Sequence, residues 1–373
     1  MKLALIRAKY NPFGGAERFL NDAVAALSGG DVQCTLFTRA WHSEPSSVLA
    51  HRIVNPSYLT SAGRDRGFAA AVKRAMATEI FDLVQSYERL DGVDIYHAVD
   101  GVHAEWLRRR QAIQSRWQRA GVAMNPHHRF VLQIERAMYT SPQLKAVICI
   151  SEMVRQDVLR HFPVDPAKLH VIYSGVDSAR FSPVSDPTEK AATRASLGIP
   201  REAPMALFVG SGFERKGLAA FLAALAACPG VTGVVVGKDK HSARYQAQAT
   251  RLGLQGRVMF TGGVTDTRPY YRAADVFVLP TIYEPFGLVC LEAMACGLPV
   301  VTSTAAGAAE VITPGVNGFV TEATDVAAIS HAINTVLQAP AMRDAARAAA
   351  LAFTHEAMAA RYVALYRQLL PTQ

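Results

Sequence analysis

The chain has 373 residues, half of them hydrophobic and 19% charged, which is enough for two large domains with sizeable cores. Its 26 Gly and 19 Pro are spread along the sequence, which excludes a disordered or collagen-like protein, and its five cysteines (Cys34, Cys149, Cys228, Cys290, Cys296) are too few and too scattered for a disulfide framework. The formal net charge of +8 is uneven: residues 1–175 carry 22 Lys and Arg against 16 Asp and Glu, residues 176–373 carry 17 against 15, so an anionic partner is expected for the first half.

From the N-terminus, the apolar run LALIRA at Leu3 reads as a strand, and Arg7 and Lys9 interrupt it too early for a signal-peptide core. Gly14 and Gly15, in NPFGGAERF, make a side-chain-free turn before a helical stretch, where a phosphate or sugar can lie. A tight loop is the ordinary alternative for such a pair. VQCTLFT from Val32, a helix near Asp65 to Glu79, then FDLVQS, DIYHA and KAVICIS continue a strand–helix alternation, the mark of a parallel sheet. The alternation restarts after residue 175 with MALFVG from Met205, VTGVVVG from Val231, RVMFTG from Arg257, ADVFVLPT from Ala274, LPVVTS from Leu298 and NGFVTE from Asn317. Two similar α/β halves are expected, 1–174 and 175–353, with the first part of Ser174 to Arg201 as the linker. Thr354 to Leu370 reads as an amphipathic helix with Met358, Tyr362, Leu365 and Leu369 near one face. The uncharged run Gly217 to Gly237 is broken by Pro229-Gly230, so a helix and a strand are expected there and not a membrane span; the protein is read as soluble or peripheral to a membrane.

Three segments carry candidate chemistry. After ADVFVLPT, the sequence Glu284-Pro285-Phe286-Gly287-Leu288 leads into a helical pattern containing Glu292. Amides near Gly287, Leu288 and Val289 would point out of the first turn, where the helix dipole favours a phosphate. Glu292 would reach the vicinal hydroxyls of a ribose, and Glu284 those of another polyol; the alternative is two solvated surface acids. The second segment, VGSGFERKG, places Arg215 and Lys216 just past a strand end, where they would neutralise a diphosphate. It lacks the third glycine of a dinucleotide fingerprint, and the next strand runs into Lys238 where an acid would be needed. The third, DIYHAVDGVHAEW, puts His97, Asp100 and His103 at and beyond a strand end, with spacing too irregular for a metal site, so no tightly held metal is expected.

Residues 104–140 hold seven arginines against Glu105 and Glu135, interleaved with Trp106, Trp117 and Phe130. A helix or helical pair lying on an anionic lipid surface fits this pattern, and so does a solvated basic face with its aromatics in the core. Nothing in it resembles a nucleic-acid module.

Together these motifs resemble retaining glycosyltransferase family 4 nearly end to end. The resemblance rests on E-x7-E from Glu284 to Glu292 within YEPFGLVCLEAMACGLPVV, RKG at Arg215-Lys216-Gly217, VGKDK at Val236 to Lys240 and GGAER near the N-terminus. NPFGGAERF, DIYHAVDGVHAEW, the ERAMY and CISEMV region and VGSGFERKG look most like the lipopolysaccharide core glucosyltransferase I group. The resemblance implies an α/β protein of GT-B architecture, two facing Rossmann-like domains with parallel sheets and a cleft between them. The first domain would bind the acceptor and be completed by helix 354–373; the second would bind the nucleotide sugar. It implies transfer of a hexose, glucose from UDP-glucose, onto an inner-core heptose of lipopolysaccharide, without metal or cofactor. Front-face displacement would retain configuration, the leaving diphosphate assisting deprotonation of the acceptor.

By the same resemblance Arg215 and Lys216 neutralise the UDP diphosphate, Glu292 binds the ribose and Glu284 the transferred sugar. Gly212, Gly237, Lys238, Phe286, Gly287, Leu288 and Val289 complete the donor site, with Gly14 and Gly15 facing them. Many family members carry a His at the end of the equivalent strand, whereas the core glucosyltransferase pattern places an acid there, matched by Asp100; the resemblance thus implies Asp100, over the nearby His97 and His103, as a catalytic group together with Arg215, Lys216 and Glu284. The stretch with Trp106, Arg108, Arg109, Arg110, Arg116, Trp117 and Arg119 falls where related enzymes contact a membrane, implying a cytoplasmic enzyme peripheral on the inner face of the bacterial inner membrane. Rival expectations are another nucleotide sugar with a capsule or exopolysaccharide acceptor, a GT-B sugar-nucleotide epimerase, or a non-catalytic polyanion-binding scaffold.

Overall fold

The computed structural model describes residues 1–8, 33–40, 49–184 and 186–370. The chain divides into two compact units, Met1–Gly175 with His355–Gln373, and Val176–Thr354.

In the first unit seven parallel strands run in the order β3-β2-β1-β4-β5-β6-β7: β1 (Lys2–Ile6), β2 (Gln33–Thr38), β3 (Leu49–Ile53), β4 (Leu83–Ser86), β5 (Ile95–His97), β6 (Ala146–Cys149) and β7 (Leu169–Val171). The register pairs Leu3 with Cys34 on one side of β1 and with Leu83 on the other. In the second unit six parallel strands run β10-β9-β8-β11-β12-β13: β8 (Met205–Val209), β9 (Thr232–Val236), β10 (Val258–Gly262), β11 (Val276–Leu279), β12 (Val300–Ser303) and β13 (Gly318–Thr321). Every residue of β8, β9, β11 and β12 is buried. Covered on both faces, these strands read in the sequence as continuous apolar runs and not as alternation.

Each sheet reverses its strand order at its first strand, between β1 and β4 and between β8 and β11. The carboxyl ends at such a reversal leave a crevice, because the connecting helices turn to opposite faces. Arg215, Lys216, Gly237 and Glu284 follow strand ends of the second sheet, and Glu88, Arg89 and Asp100 follow strand ends of the first.

The C-terminal helix His355–Leu369 packs on the first unit. Its Met358, Tyr362, Leu365 and Tyr366 share a core with Leu3, Leu5, Leu83, Ile95 and Ile148. The hydroxyl of Tyr366 donates to Oε1 of Gln85 at 2.7 Å, so the helix satisfies a polar group on β4 as well as covering apolar surface.

The strands and the Asp65 to Glu79 helix lie within a few residues of their expected places. Two edge strands, β3 and β7, escaped the sequence reading because LAHRI and LHV are short and polar for strands. The helix Pro187–Ser196 lies in the second part of the Ser174 to Arg201 stretch; Asp186 caps it, accepting from the amide of Thr188 at 2.8 Å, and Pro187 opens it. The run Gly217 to Gly237 becomes the helix Leu218–Ala226 and β9. Among the described residues no helix is long and apolar enough to cross a membrane.

Candidate active site

At the carboxyl end of β8 the chain turns through Gly210 to Gly217. The side chain of Lys216 runs directly over Gly210, where a Cβ would overlap its alkyl chain. Gly217 adopts φ 75° against the Pro280 carbonyl, where no larger residue fits. The result delivers Arg215 and Lys216 to the end of β11, just past which lies Glu284.

Glu284 is held in place by its backbone: its amide donates to the Ala305 carbonyl at 2.9 Å, and its own carbonyl accepts from Gly307 at 2.9 Å. Oε2 accepts from Nζ of Lys216 at 2.7 Å and from the Arg215 guanidinium at 3.1 Å, and Arg215 also donates to the Tyr283 carbonyl at 3.0 Å. The Glu284 and Lys216 side chains are only 13% and 11% exposed. Burial alone would push the carboxyl pKa up; Lys216 and Arg215 prevail and hold it below the usual range. These groups are therefore not the solvated acid and solvated helix start of the bland alternative.

Next to Glu284 the helix Leu288–Ala295 starts at Gly287, which has φ 96° and supplies no side-chain cap. Its first amides are thus presented at a dipole-positive helix end. Phe286, also expected at the donor site, has its side chain buried in the core and its carbonyl accepting from the amide of Ala308 at 2.7 Å. One turn into the helix, Oε2 of Glu292 accepts from the hydroxyl of Tyr271 at 2.9 Å. Tyr271 is fully buried between Phe181 and Phe277, so the carboxylate is held from beneath by a rigid donor.

Gly237, at the end of β9, packs so tightly on the Gly210 carbonyl that a Cβ would overlap it. Asp239, in the following turn, accepts from the amide of Phe213 at 2.9 Å and ties the two loops together. Lys238 and Gly212 are exposed beside them. Sequence reasoning missed Tyr271 and Asp239 as supporting residues, although Asp239 stands inside the VGKDK motif.

In the first unit the carboxyl edge carries Glu88, Arg89, Asp100 and His103 around a cavity of about 260 Å³. Asp100 is largely exposed, with its side chain 3.8 Å from Arg89. His103 opens the helix His103–Gln111 and faces Nδ1 of His128 at 3.1 Å. Burial, Arg89 and the neighbouring histidines lower its pKa to about 3, so it is neutral at ordinary pH. His97 is not at the cavity: it is buried beneath the C-terminal helix, 3.0 Å from the Tyr362 hydroxyl, and burial takes its pKa down to about 3. Gly14 and Gly15 lie outside the described residues.

The basic stretch forms three helices, His103–Gln111, Arg116–Met124 and Pro126–Tyr139, where one or two were expected. Its arginines divide. Arg108 and Arg109 bond to the fully buried Glu105, which also receives His161 at 2.9 Å; Arg109 is largely enclosed in this ion cluster, while Arg108 answers the same acid from the exposed surface. Arg110 lies over the ring of Trp106. Arg116, Trp117 and Arg119 sit on a mostly exposed helix, with Trp117 and Met124 each 79% exposed. Among the described residues no three His, Cys, Asp or Glu come together in a way that could hold a metal ion.

The fold and the cluster define a two-unit α/β protein with Rossmann-like parallel sheets and a cationic site at the carboxyl edge of the second. A family model described as Glycosyltransferase Family 4 matches residues 13–180, and one described as Glycosyl transferases group 1 matches residues 189–352. Between them they span both units, and the chain belongs to glycosyltransferase family 4, of GT-B fold.

Among its relatives, the lipopolysaccharide glucosyltransferase WaaG of Escherichia coli (strain K12) is 26% identical over 317 residues, 84% of this chain and 83% of that one. A D-inositol 3-phosphate glycosyltransferase of Xylanimonas cellulosilytica is 28% identical over 388 residues, 95% of this chain and 92% of that one. The solved structure of WaaG superposes with a TM-score of 0.82 at 24% identity, covering 96% of this chain and 98% of that one. Anabaena HepE, solved with UDP and glucose, superposes with a TM-score of 0.74 at 22% identity, covering 99% and 100%.

Proposed function

We propose that this glycosyltransferase transfers glucose from UDP-glucose to an inner-core heptose of lipopolysaccharide, with retention and without a metal ion. The observation that carries the reading is the cluster of Arg215, Lys216 and Glu284 beside the open N-terminus of Leu288–Ala295. A departing diphosphate needs positive groups fixed where its charge develops, and two cations and a row of amides supply them without reorganisation. Glu284, already held by both cations, is placed to accept hydroxyls of the transferred sugar, and Glu292 with Tyr271 to accept those of the ribose.

The donor and acceptor are suggested by the relative that acts as a lipopolysaccharide glucosyltransferase. The acceptor would be taken at the cavity carrying Asp100, with the diphosphate assisting its deprotonation. The exposed Arg116, Trp117, Arg119 and Met124 would hold the enzyme against an anionic membrane surface, which suits a lipid-linked acceptor at the cytoplasmic face.

The test is UDP release from a panel of nucleotide sugars, with and without heptose-terminated core lipopolysaccharide, in EDTA throughout. Consumption of UDP-glucose only when that acceptor is present supports the donor, the acceptor and the metal independence. Turnover of another donor, or turnover only with a capsule or exopolysaccharide acceptor, replaces the substrate assignment; interconversion of UDP-sugars without acceptor would make the protein an epimerase.

A further inference from the structure

Asp100 stands in a turn, not on a strand: β5 ends at His97, and the backbone passes Gly101, at φ 64°, before the helix His103–Gln111 begins. The residue at the cap of that helix is Val102, which has no side-chain acceptor for the first amides. The acceptor comes from another element. Glu135, on Pro126–Tyr139, receives the amide of His103 on Oε1 at 2.7 Å and that of Ala104 on Oε2 at 3.3 Å. The same Oε1 accepts from Nε of Arg89 at 2.9 Å. Arg89 in turn donates to the Gly101 carbonyl at 3.2 Å and lies 3.8 Å from the Asp100 carboxylate.

The turn Asp100 to His103 is therefore held from both sides, its amides by Glu135 and its carbonyl by Arg89. Glu135 is fully buried and does not line the cavity, whereas Arg89, Asp100 and His103 do. As a stability device the arrangement is uneconomical. A Ser at position 102 would cap the helix locally without a buried charge, and a buried ion pair is often no more stabilising than well-packed apolar residues. What the pair provides that a local cap would not is a fixed distance between three elements: the loop after β4, the turn after β5 and the helix Pro126–Tyr139.

We propose that Glu135 is a positioning residue which, through Arg89, sets where Asp100 and His103 stand at the acceptor cavity. This rests on the reading of that cavity as the acceptor site.

Three variants test it: Glu135→Gln, the pair replacement Arg89→Met with Glu135→Leu, and Asp100→Asn. Each is assayed for UDP release against acceptor concentration, for UDP affinity by calorimetry and for thermal unfolding. Glu135→Gln keeps the size of the side chain, and the apolar pair leaves no buried charge unmatched. Both are expected to fold and to bind UDP within about twofold of the parent while kcat/KM for the acceptor falls by up to about a hundredfold, the scale of a displacement near 1 Å. The split between UDP affinity and acceptor kinetics is what a merely structural role would not produce. The proposal is overturned if the apolar pair turns acceptor over within twofold of the parent, or if acceptor kinetics in Glu135→Gln fall only in step with the unfolded fraction. Asp100→Asn separates the two readings: parent-like turnover there removes the catalytic assignment of Asp100 itself, whereas loss of turnover there with parent-like Glu135 variants removes the positioning role alone.

Discussion

Nζ of Lys216 lies 2.7 Å from Oε2 of Glu284, across 68 residues of sequence. Two nearly buried, opposite charges from different strand ends meet at a crevice, and Arg215 joins them on the same oxygen. The carboxylate thus keeps two cations assembled and pointed at one place, so that an incoming diphosphate meets a formed site and not two mobile side chains.

Lys216→Ala should therefore lower turnover by about 10² to 10³, the cost of removing one preorganised group that faces developing charge, and Arg215→Ala should do so to a similar or smaller degree. Circular dichroism should remain that of the parent, since Arg215 still compensates Glu284 in the first variant and Lys216 in the second. Near-normal UDP release in both would remove the diphosphate role from this cluster.

The glycines around that cluster make a sharper test. A Cβ at Gly210 meets the flexible alkyl chain of Lys216, while a Cβ at Gly217, at φ 75°, meets the fixed carbonyl of Pro280. Gly217→Ala should lower stability severely, through backbone strain of about 1–3 kcal/mol plus the displaced segment. Gly210→Ala is also strained, at φ 153°, but its Cβ meets only a flexible chain, so it should lose less stability than Gly217→Ala and be inactive, because Lys216 must leave its place. Thermal melting and turnover measured together decide it; equal melting temperatures for the two variants would contradict the packing argument.

Much of this arrangement was legible in the sequence. The apolar runs gave the parallel strands because burial on both faces leaves no alternation to obscure them, and the segments holding Gly217 and Gly287 were expected just past strand ends, where the structure gives both glycines positive φ. What could not be read was partnership at long range. Nothing local distinguishes Tyr271 from a core tyrosine, yet its hydroxyl holds Glu292; nothing in ERAMY says that Glu135 caps a helix 32 residues upstream of it. Arg108 and Arg109 look like Arg116 and Arg119 in a charge count, and only packing shows that the first two answer a buried acid.

Tyr271→Phe isolates one such partnership. The ring still fills its place between Phe181 and Phe277, so the stability cost should be about 1 kcal/mol, that of one hydrogen bond. If Glu292 binds the ribose, the donor KM should rise several-fold with little change in kcat. A changed kcat at constant KM would place Glu292 in the chemical step instead.

The division among the arginines separates docking from folding. Arg116→Glu with Arg119→Glu and Trp117→Ala should weaken binding to vesicles rich in phosphatidylglycerol, by about 1 kcal/mol for each charge removed from the surface, and the loss should shrink at high salt. Arg109→Glu should instead lower stability, since it sets a second acid against buried Glu105, whose carboxyl its bonds from Arg108, His161 and Arg109 bring down to about pKa 2 against the effect of burial. Vesicle flotation and thermal melting distinguish the two; unchanged flotation of the triple variant would return the helix Arg116–Met124 to an ordinary solvated face.

Two histidines of the first unit, His97 and His103, have pKa values lowered to about 3 and so make its stability pH-dependent, and His97 is the one sealed by the C-terminal helix. Burial keeps the imidazole neutral, with its pKa at about 3, while the unfolded chain titrates at about 6.5. Between those values the unfolded state holds a proton that the folded state refuses, so stability that is complete above pH 6.5 drains as pH falls toward 3, by about 1.4 kcal/mol per pH unit from this group once well below 6.5. His97→Gln keeps a hydrogen-bonding group against the Tyr362 hydroxyl without a titrating proton and should flatten the slope between pH 6 and pH 4. Trp41, Trp106 and Trp117 are the three tryptophans of the chain and all fall in residues 1–175, so urea unfolding followed by tryptophan fluorescence reads this half of the sequence selectively. Equal slopes in parent and His97→Gln would mean that His97 is already accessible to protons in the native state, and that the C-terminal helix does not seal it.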